Sequence, residues 1–99
     1  MSFVTAQPEA LTSAAGDLRS IGAAVMAGNA AASAPTTGVI PAAGDEVSAL
    51  TAAQFAAHAA LYQELSAQAA VIHQQLVDVL GTSATSYATA EASNVAAVY

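Results

Sequence analysis

Cysteine and tryptophan are absent from this 99-residue chain, and Arg19 is its only basic residue apart from two histidines. Without cysteine there is no disulfide framework, zinc ribbon or thiol chemistry. One cation against seven acids gives a formal net charge of −6. That balance leaves no basic footprint for phosphates, so nucleic acid is excluded as a partner, and an anionic membrane surface repels the chain. Large apolar side chains are scarce too. Leu, Ile, Val and Phe number 21, whereas alanine alone numbers 29, so the 56% hydrophobic share is largely methyl groups. No stretch reads as a bilayer span: the most apolar one, residues 21–34, is interrupted by Gly22, Gly28 and Asn29 and stops at Pro35. The first 20 residues show neither the basic nor the apolar region of a secretory signal peptide. Any export is therefore expected to use another route.

What is present is helical periodicity. The short lead 1–7 ends at Pro8, whose missing N–H suits a first helical position. Glu9 follows, an acid favoured by the positive end of the helix dipole. Leu11, Ala14, Leu18, Ile21, Val25, Gly28 and Ala32 then recur at steps of three and four. This predicts a helix over about 8–34, roughly 40 Å long. Pro35, Gly38, Pro41 and Gly44 punctuate a turn over 35–44. Asp45 and Glu46 open a second helix whose stripe runs Leu50, Ala57, Leu61, Leu65, Ile72, Leu76 and Val79, widened by Val47, Phe55, Tyr62, Val71 and Leu80. Gly81 reads as its C-terminal cap, which gives a helix over about 45–80, roughly 54 Å long. The Ser/Thr/Ala-rich remainder, 81–99, ending in Val98 and Tyr99, reads as a weakly helical or disordered tail. The expected fold is all-α: a long antiparallel two-helix hairpin over residues 1–80, followed by a flexible tail.

A hairpin buries only one face of each helix, and the second helix has more apolar circumference than the first can cover. The surplus needs another helical surface, so the hairpin is expected to complete a bundle with a partner protein. The side chains expected at that interface are Leu11, Leu18, Ile21, Val25, Leu50, Phe55, Leu61, Tyr62, Leu65, Ile72, Leu76 and Val79. Gln54, Gln68 and Gln75 lie near the stripe; they either set register between helices or sit on its solvated edge.

Catalytic equipment is missing. His58 and His73 would lie roughly 22 Å apart on one helix and cannot share a metal. Neither has an acid or second histidine at helical ligand spacing. Glu9, Glu64, Asp78 and Glu91 are scattered, and a thin hairpin offers no cleft to pair carboxylates. No phosphate-binding glycine motif occurs, and no Ser/His/Asp set is evident. Neither catalytic residues nor metal ligands are assigned, no cofactor is expected, and the chain reads as a non-enzyme. Tyr87 and Glu91, four apart, would share a helix face and form a recognition handle on the tail.

Four features together resemble the mycobacterial PE family: Pro8–Glu9, the turn APTTGVIPA over 34–42, the run DEVSAL over 45–50, and YATAE over 87–91. The resemblance covers essentially the whole chain and fits a stand-alone PE domain. It implies a helical hairpin that heterodimerises with a PPE-family protein. It further implies joint export by a type VII (ESX) secretion system without a cleavable signal peptide, with delivery outside the cell or to the envelope and cell surface. Tyr87 and Glu91 match the family's Y-x-x-x-[DE] secretion motif, which works beside a W-x-G feature; lacking tryptophan, this chain would take that half from its partner. An EspG-type chaperone would act indirectly, through the PPE subunit. The sequence is most similar to PE proteins associated with ESX-5. The alternative reading of the residues is a structural homodimer, two hairpins forming a four-helix bundle of the envelope.

Overall fold

A computed structural model describes residues 5–98; the first four residues of the lead and the terminal Tyr99 lie outside them. The fold is all-α. Helix α1 spans Pro8–Thr37 and helix α2 spans Glu46–Val98, with no strand among the described residues. The chain divides into two compact units. The turn unit, Ala23–Ile72, holds the end of α1, the turn and the first half of α2. The terminal unit pairs the beginning of α1 with α2 from His73 onward.

Helix α1 starts where proline permits it. Pro8 occupies the first turn with Glu9 beside it, and the Gln7 carbonyl accepts the Ala10 amide at 3.0 Å. Its end differs from expectation: α1 runs through Pro35 to Thr37 and does not stop at Ala34. Proline in the last turn removes a single backbone donor, and its fixed φ is compatible with a helix. The Thr36 hydroxyl donates to the Ala32 carbonyl at 2.6 Å, and that of Thr37 to Ser33 at 2.7 Å. The Gly38 amide closes onto the Ala34 carbonyl at 3.0 Å. Such back-bonding recurs at Thr12, Ser20, Thr51, Thr82, Thr85 and Thr89, each hydroxyl donating to the carbonyl four residues earlier.

Helix α2 is capped by Asp45. One carboxylate oxygen accepts the Ser48 amide at 2.8 Å, the other accepts the Ser48 hydroxyl at 3.0 Å, and the Asp45 carbonyl accepts the Ala49 amide at 3.1 Å. These side-chain bonds satisfy an otherwise orphaned donor of the first turn. At the other end, the break expected at Gly81 is absent, because α2 continues to Val98. A glycine cap needs a left-handed backbone, and no described glycine has positive φ. Gly81 is a helix-interior residue. The segment beyond it is rich in alanine, the strongest helix former, and Ala84 is only 4% exposed. Residues 81–98 of the expected flexible tail thus continue α2.

The inner surface is made of small residues. In the turn unit, Ala52 and Ala59 are buried, and Ala56, Gln63, Ser66 and Ala70 half-buried, at steps of three and four along α2. In the terminal unit the same spacing carries His73, Val77, Leu80 and Ala84. Val77 is the large side chain buried most completely, at 1% exposure. Across from these, α1 contributes Leu11, Ala15, Leu18 and Gly22 to the terminal unit and Asn29, Ala32 and Ser33 to the turn unit.

Polar bonds pin each unit. In the turn unit, Tyr62 Oη donates to Asn29 Oδ1 at 2.8 Å and Gln63 Nε2 donates to the Asn29 carbonyl at 2.9 Å. In the terminal unit, His73 Nε2 meets the Leu18 carbonyl at 2.6 Å, so this nitrogen carries the proton. Gly22 makes room for it: a Cβ there would fall 2.8 Å from His73 Cδ2 and Nε2.

Gly22→Ala should therefore depend on His73. Helix propensity alone favours alanine over glycine by about 1 kcal/mol. A thermal-unfolding double-mutant cycle should show that gain in a His73→Ala background. With His73 in place, the gain should vanish or reverse as the ring is driven off the Leu18 carbonyl, a bond contributing about 1 kcal/mol. A second outcome concerns pH. The Ser48 amide and hydroxyl hold the exposed Asp45 carboxyl below its ordinary value of 3.8. A depressed folded value means the cap contributes fully above about pH 4 and is lost as pH falls through the folded value. The Ser48 amide resonance should titrate in that range in the native chain and stay flat in Asp45→Asn, which keeps the acceptor without the charge.

Candidate partner-binding face

The same three-and-four spacing that builds the inner surface occurs on α2 in a second phase. In the turn unit it reads Phe55, His58, Tyr62, Leu65, Ala69 and Ile72, and all of these are exposed. Leu76 and Val79 carry the spacing on in the terminal unit, also exposed. The large members, Phe55, Tyr62, Leu65, Ile72, Leu76 and Val79, are each 49% to 66% exposed. Leu50, Leu61, Val47 and Val71 extend the apolar surface further round the helix. Isolated exposed leucines need no explanation, but a continuous row does. No Asp, Glu, Lys or Arg stands at any of these seam positions.

Of the twelve side chains expected at a partner interface, Ile21, Val25, Leu50, Phe55, Leu61, Tyr62, Leu65, Ile72, Leu76 and Val79 are exposed. Leu11 and Leu18 are half-buried against α2 within the terminal unit and serve the chain's own packing. On α1 the residues against α2 are Leu11, Ala15, Leu18 and Gly22, which leaves Ala14 and Ile21 of the apolar stripe exposed.

Gln54, Gln68 and Gln75 are exposed and do not set register between α1 and α2. The glutamine that crosses to α1 is Gln63. Nothing singled out Gln63 or Asn29 in the sequence beforehand. Their signal was the small-residue phase itself, since Gln63 falls at the step after Ala59.

In the turn unit a groove of about 310 Å³ lies beside the row, walled by Phe55, His58 and Tyr62 from α2 and by Ala32 and Pro35 from α1. His58 and His73 belong to different units, and no group of His, Cys, Asp or Glu among the described residues is arranged to hold a metal. No helix of the described residues is long and apolar enough to cross a membrane.

Tyr87 and Glu91 lie on helical α2 rather than on a loose tail. Tyr87 is half-exposed, at 51%. Glu91 is half-buried, and its Oε1 accepts the Ala6 amide at 3.4 Å, a long bond joining the lead of α1 to the end of α2. Pro8 and Glu9, with Thr12, line an open groove of about 720 Å³ against the α2 face of Ala88, Thr89 and Ala92. Both motif pairs therefore fall in the terminal unit, where the two helices meet end to beginning.

A sequence profile of the PE family matches residues 4–94, spanning both motif pairs and the exposed row. The chain belongs to the PE family. It is 65% identical over 97 residues to PE family protein PE13 of Mycobacterium tuberculosis, covering 98% of each. It is also 54% identical over 98 residues to PE-PGRS family protein PE_PGRS8 of the same species, of which it spans 56%. Against PE_PGRS33 it is 55% identical over 96 residues and spans 19% of that protein. These names state family membership and no reaction. The resemblance drawn from Pro8–Glu9, the turn, residues 45–50 and Tyr87–Glu91 thus identified the family of the whole chain.

For this PE domain the two phases of α2 should respond oppositely to substitution. Ala59→Leu overfills the inner surface and should lower stability by about 1–3 kcal/mol. Leu65→Ala, on the outer row, should change the unpartnered chain by no more than about 0.5 kcal/mol. Thermal unfolding followed by circular dichroism reads both.

Proposed function

We propose that this PE chain is a non-catalytic secreted subunit that heterodimerises with a PPE-family protein and carries a type VII secretion signal. The observation that carries the reading is the exposed row from Phe55 to Ile72 in the turn unit, repeated in spacing by Leu76 and Val79. A row at three-and-four spacing fits the groove of a second helix packed at a shallow angle. Removing these side chains from water stabilises an assembly at roughly 25 cal/mol per Å² of apolar area. A PPE-family chain is the helical surface that family membership suggests.

Tyr87 and Glu91 supply the export signal in this reading. An ordered α2 end presents the Tyr87 ring outward, and the partial anchoring of Glu91 to the Ala6 amide leaves an acidic edge beside it. The W-x-G half comes from the partner, since the chain has no tryptophan. The exported pair is delivered to the cell surface or beyond, and an EspG-type chaperone engages the PPE subunit, not this chain.

Pairwise co-expression with the PPE-family proteins of the same genome tests the reading. One of them should yield a soluble one-to-one complex melting well above the chain alone, and Leu65→Glu should abolish it. Tyr87→Ala and Glu91→Ala should leave that complex intact while removing it from the culture filtrate. A symmetric, stable dimer of the chain by itself at low concentration would transfer the row to the homodimer reading. Unchanged secretion of both tail variants would end the export role of the pair.

A further inference from the structure

Tyr62 is the one aromatic of the exposed row whose ring is tethered from the other helix. Its hydroxyl donates to Asn29 Oδ1 at 2.8 Å, while the Asn29 main-chain carbonyl is held by Gln63 Nε2 at 2.9 Å. Asn29 is thus fixed through its backbone and in turn fixes the Tyr62 side chain. The ring stays half-exposed and forms one wall of the 310 Å³ groove, facing the same space as Phe55, His58 and Pro35. Phe55 has no polar atom with which to be restrained in this way. A solvent-accessible hydroxyl–amide bond contributes little to folding, because water offers both groups equivalent partners. What it does change is the freedom of the ring. Ordering a rotamer-rich side chain on association costs affinity, and a ring already held forgoes that cost. Aromatic anchors beside a pocket are also where binding energy concentrates.

We infer that Asn29 is a positioning residue for the partner contact: it holds the Tyr62 ring as a pre-set wall of the groove, ready for a large apolar side chain of the partner's helix. The inference rests on the proposed partner reading and assigns that contact a centre in the turn unit. The Gln63 bond serves a different end, setting α1 against α2 through the main chain.

The test uses the purified complex with the PPE-family chain recovered by co-expression, and reads the dissociation rate together with the thermal midpoint. Tyr62→Phe keeps the ring and deletes the tether; Asn29→Ala deletes the tether from the other side. Each should speed dissociation roughly 2- to 10-fold. The double variant should be no faster than either alone, and circular dichroism should report unchanged helix content. Gln63→Ala, which touches only the main-chain bond, should lower the midpoint with a smaller effect on dissociation. Wild-type dissociation in both Tyr62→Phe and Asn29→Ala overturns the inference, as does an additive double variant. In either case the partner reading stands if Leu65→Glu still breaks the complex. A complex indifferent to Leu65→Glu overturns both.

Discussion

How closely α1 and α2 approach decides everything else about this chain. Gly22 lies against the His73 ring with no space for a Cβ, and the buried side chains are Ala15, Val77 and Ala84 in the terminal unit and Ala52 and Ala59 in the turn unit. Methyl groups and hydrogens bring backbones near one another, but they leave no volume for leucine or phenylalanine between them. The large apolar residues must then go elsewhere on the helix surface. In an ordinary core they would fill the interior at crystal-like density. Here the interior is already full of alanine, and Phe55, Leu65 and Ile72 are turned outward. Exposure of the row is thus a geometric result of tight pairing and not a failure of packing.

Tight pairing by small residues has a weakness that the polar bonds address. Alanine faces are nearly featureless, and a helix can slide along another with little change in contact. Gln63 with the Asn29 carbonyl in the turn unit, and His73 with the Leu18 carbonyl in the terminal unit, specify one alignment within each. They do so cheaply, since no buried side-chain polar atom among the described residues lacks a partner. Single polar residues that fix alignment are the best-attested use of buried polarity in paired helices. The price is low because each group stays partly in reach of water.

Much of this was legible in the residues, and the misses share a cause. The two helices, the turn between them, the acid at the start of α2 and the surplus apolar surface all followed from spacing and capping chemistry. Ile21 drew the α1 stripe because it outranks Gly22 on any hydrophobicity count, although Gly22 is the residue that fits against His73. The same bias hid the inner phase of α2, whose members are alanine, serine, glutamine and histidine. Glycine and proline misled in the other direction. Gly81 lacks the positive φ of a cap, and Pro35 withholds one donor from the Ala31 carbonyl in the last turn, where little helix follows to be disrupted, so neither stops its helix. The family was read correctly from the residues, but the ordered setting of Glu91 involves Ala6, distant in sequence and invisible to local spacing.

The threonines along both helices add a last consequence. Thr12, Thr51, Thr82, Thr85 and Thr89 bend their hydroxyl protons back onto their own helices. These five hydroxyls therefore meet an incoming surface as acceptors, their own protons already engaged. A surface docking over these positions finds methyl groups and lone pairs but no free proton, and is sorted there by contour, the way a key is sorted by its profile and not by its label.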